Sequence, residues 1–324
     1  MPDFIQHPID RVPDSGNLPP ADNAPDLRNI RLDDWEDDAF RSSGVQVQVL
    51  RLDKIHQEIS GNKWFKLKYF LKEAKRTNKH TLISFGGAYS NHLLALSAAA
   101  ALNGMVSIGI IRGEEPAELS HTLLASKRFG MKLQFLSRAD FLQKKNIRSD
   151  NNQEPPDSRT LWIPEGGSGL TGVRGAEEIL STLPVDSYSH ICCAAGTGTS
   201  LAGIINSSNP QQHIIGVSVL KGTTGLNPLK ISYIKNPAGL KNVTMIHDDH
   251  FGGYAKRNQL LFNSMNRVFA NSGIPTDFVY TGKLFYSVLR LATAGHFPRG
   301  SRILVLHTGG LQGNRSLPSG SLDF

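Results

Sequence analysis

Three times in this chain a short apolar run empties into a glycine turn: residues 81–85 into Gly86-Gly87, residues 191–194 into Gly196-Thr197-Gly198, and residues 302–306 into Gly309-Gly310. Runs of that length bounded by glycine read as strands, and the stretches between them carry helical spacing. The alternation opens at residues 45–52, where VQVQVLRL changes face at every residue. It continues with helices at 64–76, 91–102, 119–129 and 201–206, and strands at 105–111, 132–136 and 213–220. A further helix is expected after the glycine-rich segment 165–169, running through Glu177, Glu178 and Ile179. Strands alternating with helices fold as α/β layers with parallel sheets, and such sheets bind ligands beyond the carboxyl ends of their strands. All three glycine turns fall there. The polar stretch 144–158 reads as a loop or domain crossing, and the proline-rich residues 1–30 as an irregular arm.

A chain of 324 residues suits one large or two medium domains. Its formal net charge of +7 comes from dispersed basic residues rather than a lysine or arginine block, which argues against a nucleic-acid partner. No apolar run approaches the ~20 residues of a membrane helix, and Met1 to Asp10 lacks a signal-peptide pattern. Cys192 and Cys193 are neighbours in a strand, so they point to opposite faces and do not bridge. The expectation is a cytoplasmic protein with no membrane partner and no metal.

Chemistry gathers at the turns. Ala195-Gly196-Thr197-Gly198-Thr199-Ser200 leaves a buried strand and opens a helix, so backbone N–H groups and three hydroxyls converge where an anion could sit. It lacks the Gly-Lys-Ser/Thr of a P-loop, and Leu201 and Ser218 break the dinucleotide fingerprint, so a non-nucleotide phosphate suits it. A plain strand-to-helix turn with a hydroxyl cap is the competing account. Ser90 and Asn91, after Gly86-Gly87, are equally natural N-caps. Lys63 lies in SGNKWFKLKYFL, between a Gly-Asn turn and a Trp-Phe pair. A lone lysine there is most simply a solvated one. An amine that condenses with a carbonyl, joined to a phosphate cradle in an α/β fold, is what pyridoxal phosphate requires. Ser60-x-x-Lys63 with Ser149-Asp150-Asn151 also matches two elements of penicillin-recognising enzymes, but the third, Lys-Thr-Gly, is missing.

Gly61-Asn62-Lys63-Trp64-Phe65-Lys66-Leu67 resembles the G-N-K-x-x-K-L segment of the 1-aminocyclopropane-1-carboxylate deaminase/D-cysteine desulfhydrase family, within the tryptophan-synthase-β-like pyridoxal-phosphate enzymes. Gly86-Gly87 with Ser90-Asn91-His92, the cup at 196–200, Tyr280-Thr281-Gly282-Lys283 and His307-Thr308-Gly309-Gly310 follow in that family's order, so the resemblance spans roughly residues 45–313. It implies a fold-type-II enzyme with two parallel-sheet α/β domains. Residues 1–65 and 164–324 would form the large cofactor domain, with 66–163 inserted as the small one, and the protein would be a homodimer. The cofactor implied is pyridoxal 5′-phosphate and the substrate a small amino acid.

Carried over by the resemblance, Lys63 would anchor the cofactor and move the substrate's α-proton, its amine kept neutral by desolvation against Trp64 and Phe65. Asn91 would face the phenolate oxygen, Ser90 the substrate carboxylate, and Thr197, Gly198, Thr199 and Ser200, with Lys66, the phosphate. Tyr254 and Tyr280 would be the active-site tyrosines, and Thr308 a further cofactor contact. Thr281 stands where the deaminases have an acidic residue, and Thr308 where they have an apolar one; both resemble the desulfhydrase branch. A hydroxyl deepens the electron sink less than a carboxylate, which suits loss of a good leaving group. The expected reaction is α,β-elimination, D-cysteine giving pyruvate, sulfide and ammonia. The alternatives are 1-aminocyclopropane-1-carboxylate deaminase or another eliminase or racemase of this fold, and outside enzymes a non-catalytic pyridoxal-phosphate or metabolite-binding protein. The family's glutamine before Ser90 is Tyr89 here, and Arg51 to Ile59 replaces its R-D-D approach; both are expected near the substrate pocket.

Overall fold

A computed structural model describes residues 24–150 and 159–324. In chain order the elements are β1 (Leu32–Asp34), α1 (Asp38–Ser43), β2 (Gln46–Arg51), α2 (Asn62–Arg76), β3 (Thr81–Gly86), α3 (Asn91–Leu102), β4 (Val106–Arg112), α4 (His121–Arg128), β5 (Lys132–Leu136) and α5 (Arg138–Asp150). After them come β6 (Thr160–Ile163), α6 (Leu170–Ala176), β7 (His190–Ala195), α7 (Thr199–Ser207), β8 (His213–Ser218), β9 (Val243–Ile246), α8 (Gln259–Ser272), α9 (Thr281–Thr293) and β10 (Arg302–His307).

The strands form two sheets, one ordered β1-β2-β10-β7-β8-β9 and one ordered β5-β4-β3-β6. Every pairing is parallel except β1 with β2. The larger sheet is covered on both faces, as a parallel sheet must be to bury its apolar side chains. β7 shows the period of two: Ile191, Cys193 and Ala195 join the core holding Phe65, Val173 and Leu201, whereas Cys192 and Ala194 join the core holding Trp35, Phe285 and Val288. The two cysteines are buried, unbridged and on opposite faces, as their adjacency predicts. In the smaller layer, α3 is apolar nearly all round and His92 through Ala100 are all buried. Burying each large apolar side chain contributes roughly 1.5–3 kcal/mol before the entropy of ordering it.

Some sequence expectations fail. Residues 144–150, read as loop, are the last turns of α5; the polar composition that signalled a loop is that of a helix with little apolar surface to bury. The rest of that stretch, 151–158, lies outside the described residues, as does the arm up to residue 23. The helix after residue 169 stops at Ala176, short of the anticipated Glu177–Ile179. Among the described residues no helix is long and apolar enough to cross a membrane, and no group of His, Cys, Asp or Glu could hold a metal ion.

Candidate active site

Lys63 owes its place to Gly61. That residue caps α2 at φ 63°, and a Cβ there would stand 1.9 Å from the Thr308 carbonyl oxygen. Only glycine permits both the left-handed φ and this approach. The Gly61 N–H donates to Leu52 (3.1 Å), the Asn62 N–H to Thr308 (3.3 Å), and Asn62 Nδ2 to Ser200 Oγ (2.9 Å). The first turn of α2 is thereby fixed against the turn after β10 and the start of α7. Lys63 Nζ lies 5.9 Å from the centre of the Tyr280 ring. Burial draws its pKa down to about 8, against an opposing pull from the negative charge of Asp277. Trp64 and Phe65, expected to desolvate it, do not line the cavity. Side chains diverge by about 100° per residue around a helix, and Phe65 is buried in the core with Trp64 packed on it, both outside the cavity wall. On the cavity side, Lys63 is enclosed by residues distant in sequence, Asn91, Tyr280 and Thr308 among them.

The glycine–threonine turn forms that enclosure's floor. Gly198, at φ 74°, caps α7, and a Cβ on it would meet the Pro228 carbonyl oxygen at 2.4 Å. The N–H groups of the first turn of α7 have no acceptor within the helix, so they face outward with the helix's positive end. Thr197 Oγ1 and Thr199 Oγ1 lie 3.0 Å apart beside them. Lys66, one turn along α2 from Lys63, is 3% exposed and lines the same space. Its pKa is pushed well below the ordinary lysine value, first by burial and then by the charge of Lys63, while Cys193 opposes. An anion in the cup would restore the charge. The cavity of about 430 Å³ is lined by Lys63, Lys66, Asn91, Thr197 through Ser200, Tyr280 and Thr308. Its size falls within the roughly 300–1,000 Å³ of small-molecule sites.

Three expected residues do not line it: Tyr89, which is exposed, and Ser90 and Tyr254. Ser90 caps α3, accepting from the Leu93 N–H at 3.2 Å, which is the plain capping account. Tyr254 packs edge-on to Tyr280, ring centres 6.0 Å apart, and stays 48% exposed. Thr281 is also turned away. Its hydroxyl accepts from the Asp277 N–H (2.7 Å) and donates to Asp277 Oδ1 (2.8 Å), fully buried at the start of α9. Of the two threonines only Thr308 reaches the cavity. As expected, the segment before Lys63 does line it, through Asp53, Lys54, Gln57 and Glu58.

Several supporting residues escaped the sequence reading. Asp277 takes N–H bonds from Val279 and Tyr280, both at 2.9 Å, and one from Thr281 at 2.8 Å, so this buried carboxylate holds the turn that presents Tyr280. An acid three residues before the Y-x-G-K helix start was the available signal. Gln312 Nε2 donates to Asn91 Oδ1, which orients that amide. Lys283, fully buried, donates to the carbonyls of His250 (2.9 Å) and Gly253 (2.7 Å) and so ties down the loop bearing Tyr254. Under the Thr308 turn, His307 Nδ1 lies 3.1 Å from Asp53, which Arg51 grips at 2.8 and 2.7 Å. Burial raises the Asp53 carboxyl, but His307 and Arg51 together leave it below the usual carboxylate range.

No family model matches the chain. Curated relatives do. A putative 1-aminocyclopropane-1-carboxylate deaminase of Pyrococcus furiosus is 30% identical over 290 residues, 83% of this chain and 86% of the relative. One from Pyrococcus horikoshii is 29% identical over 286 residues, covering 84% and 87%. A D-cysteine desulfhydrase of Salmonella choleraesuis is 26% identical over 286 residues, covering 82% and 87%. Among solved structures, an ACC deaminase homologue matches with a TM-score of 0.74 at 27% identity, over 88% of this chain and 90% of that one. O-ureido-L-serine synthase, 14% identical with a TM-score of 0.64 over 91% and 96% of the two chains, shares the fold.

Proposed function

The chain belongs to the 1-aminocyclopropane-1-carboxylate deaminase/D-cysteine desulfhydrase family of fold-type-II pyridoxal-phosphate enzymes, and from that premise we propose that it deaminates a small amino acid by breaking bonds at the substrate's α- and β-carbons. It is a pyridoxal-phosphate-dependent enzyme, and homology to catalytic relatives sets aside the non-catalytic alternative. The observation that carries the proposal is a single cavity bearing both the Lys63 amine and the Gly196–Ser200 donors.

The donor set fits the cofactor. A helix N-terminus with two threonines, a serine and Lys66 suits a phosphate, and an amine with a pKa near 8 suits an aldehyde. Bound there, pyridoxal phosphate supplies the electron sink that lets a proton leave Cα and a substituent leave Cβ. In the proposed assignment, Lys63 Nζ anchors the aldehyde and moves the proton at Cα. Thr197, Gly198, Thr199, Ser200 and Lys66 hold the phosphate. Asn91, steadied by Gln312, faces the phenolic oxygen, and Thr308 contacts the ring. Tyr280, beside Lys63, attends the substrate, with Tyr254 packed behind it, while Ser90, outside the cavity lining, keeps its role as the cap of α3.

Preference for D-cysteine rested on Thr281 and Thr308, and the burial of Thr281 against Asp277 withdraws half of that support. The name putative 1-aminocyclopropane-1-carboxylate deaminase, moreover, is carried by the relatives from three Pyrococcus species. The proposal is therefore deamination, with 1-aminocyclopropane-1-carboxylate as the first substrate and D-cysteine as the second. The test incubates the pyridoxal-phosphate-loaded enzyme with each compound and with L-cysteine, scoring ammonia, 2-oxobutanoate, pyruvate and sulfide. Ammonia with 2-oxobutanoate is expected from the cyclopropane substrate. Sulfide and pyruvate from D-cysteine alone would move the assignment to desulfhydration, and no ammonia from any of a wider amino-acid panel would sink it.

A further inference from the structure

His92, in the first turn of α3, is 3% exposed and stands just behind the cavity wall. Its protonation pattern can be read from its neighbours. Ser84 Oγ donates its single hydrogen to the Ile163 carbonyl at 2.7 Å. The 2.8 Å contact between Ser84 Oγ and His92 Nε2 therefore has the ring donating. Nε2 carries the proton, and Nδ1 is left as a bare lone pair. Burial, and then the charges of Lys63 and Lys66, hold the imidazolium well below its ordinary range, so the ring is neutral. Nδ1 has no hydrogen-bond partner among the described residues. A buried acceptor left unpaired costs about 1–3 kcal/mol, which calls for an explanation.

Lys66 supplies one. Its amine makes no hydrogen bond or ion pair among the described residues, although the side chain is buried. The two side chains flank Gly167: a Cβ there would lie 3.2 Å from Lys66 Cβ, 3.6 Å from His92 Cε1 and 3.8 Å from His92 Nδ1. The charge of Lys66 also bears on the ring, so an amine without an acceptor sits on a side chain packed beside an acceptor without a donor. An ammonium has three hydrogens to place, and an anion on one side leaves at least one for another acceptor.

We propose that His92 is a positioning residue for Lys66, its Nδ1 accepting a hydrogen from Lys66 Nζ when pyridoxal phosphate is bound, so that the ammonium is aimed at the cofactor's phosphate. This rests on the functional reading above. The chain from the Ile163 carbonyl through Ser84 to the imidazole serves to keep the lone pair on the Lys66 side.

The test measures dissociation constants of the full-length protein for pyridoxal phosphate and for pyridoxal, which lacks the phosphate, by visible absorbance, with the 31P resonance of the bound cofactor as a second readout. The variants are His92→Phe, His92→Asn, Ser84→Ala and Lys66→Met. His92→Phe, which removes the acceptor at similar volume, is expected to weaken pyridoxal phosphate about tenfold, to shift the 31P line and to leave pyridoxal unchanged. His92→Asn, which retains an acceptor at the δ position, recovers most of the loss. Ser84→Ala frees the ring to move its proton and gives a smaller loss in the same direction, and it serves alone if His92→Phe does not fold. In the Lys66→Met background His92→Phe has no further effect. Unchanged affinity in both His92→Phe and Ser84→Ala, or an equal loss for pyridoxal or in the Lys66→Met background, would overturn the proposal while leaving the cofactor assignment intact. A wild-type protein that takes up no pyridoxal phosphate would instead overturn the functional reading on which it stands.

Discussion

At the scale of single residues, the amine of Lys63 is the group whose state decides reactivity. With a pKa of about 8 instead of 10.5, roughly 300-fold more of it is neutral at pH 7. An amine is neutral above its pKa, so uptake of pyridoxal phosphate by the apoenzyme should quicken as pH rises through about 8 and then level. Stopped-flow absorbance checks this; a rate still climbing steadily toward 10.5 would contradict it. Asp277 pulls the amine toward its charged form, so Asp277→Asn should move the inflection downward. The turn beneath is equally exacting. Gly198→Ala places a side chain in a left-handed conformation costing about 1–2 kcal/mol and drives it against the Pro228 carbonyl, 2.4 Å away. Cofactor affinity should drop by more than tenfold, read by equilibrium dialysis, while retained affinity would show that the turn adapts.

Among elements, the ones with a strong local signature were the legible ones. The strand 132–136 and the helix 91–102 have the bounds that the pattern gave, because one is flanked by glycine and helix signals and the other by Ser90 and an unbroken Ala/Leu run. Helices α1, α8 and α9 and strands β1, β6 and β9 were not anticipated; their apolar side chains join cores shared with residues far away in sequence. The same holds at the site. Glycine turns and Lys63 announce themselves locally, whereas Asp277, Gln312 and the Ser84–His92 chain acquire meaning only once strands are paired. Asp37 illustrates a tie of this kind between elements. It caps α1 through the Ala39 N–H at 2.9 Å and also receives Arg267 Nε at 3.0 Å and Asn271 Nδ2 at 2.9 Å from α8. Asp37→Ala should cost about 2 kcal/mol, seen as a lowered melting temperature. Burial raises the Asp37 carboxyl, but Arg267, Ala39 and Asn271 leave it below its ordinary value. That stability is thus present above about pH 4 and lost as pH falls through the folded value. The variant's acid limb should be shallower than the wild type's.

Across the whole molecule, the two ends of the larger sheet are put to different use. At the carboxyl ends lies the cavity; at the amino ends lie His190 and His213, paired in register with ring centres 5.7 Å apart. Burial, then the nearby His213 and His296, lower the pKa of His190 to about 4. A histidine whose folded pKa lies below its unfolded value near 6.5 binds fewer protons when folded. Its contribution is therefore complete above about 6.5 and is lost as pH falls toward 4. Denaturant midpoints should decline over that window and decline less for His190→Phe; parallel profiles for the two proteins would refute the assignment.

The pairing of β2 with β10 has a consequence in time. Gly61 rests on the Thr308 peptide, which lies almost 250 residues further along the chain, so a polypeptide still leaving the ribosome has made its reactive lysine long before it has made the wall that seals it. Until residues near 308 emerge and dock, that amine stays hydrated and protonated like any other. The lowered pKa, and with it the reactivity toward aldehydes, can therefore exist only after the segment around residue 308 has docked on the start of α2.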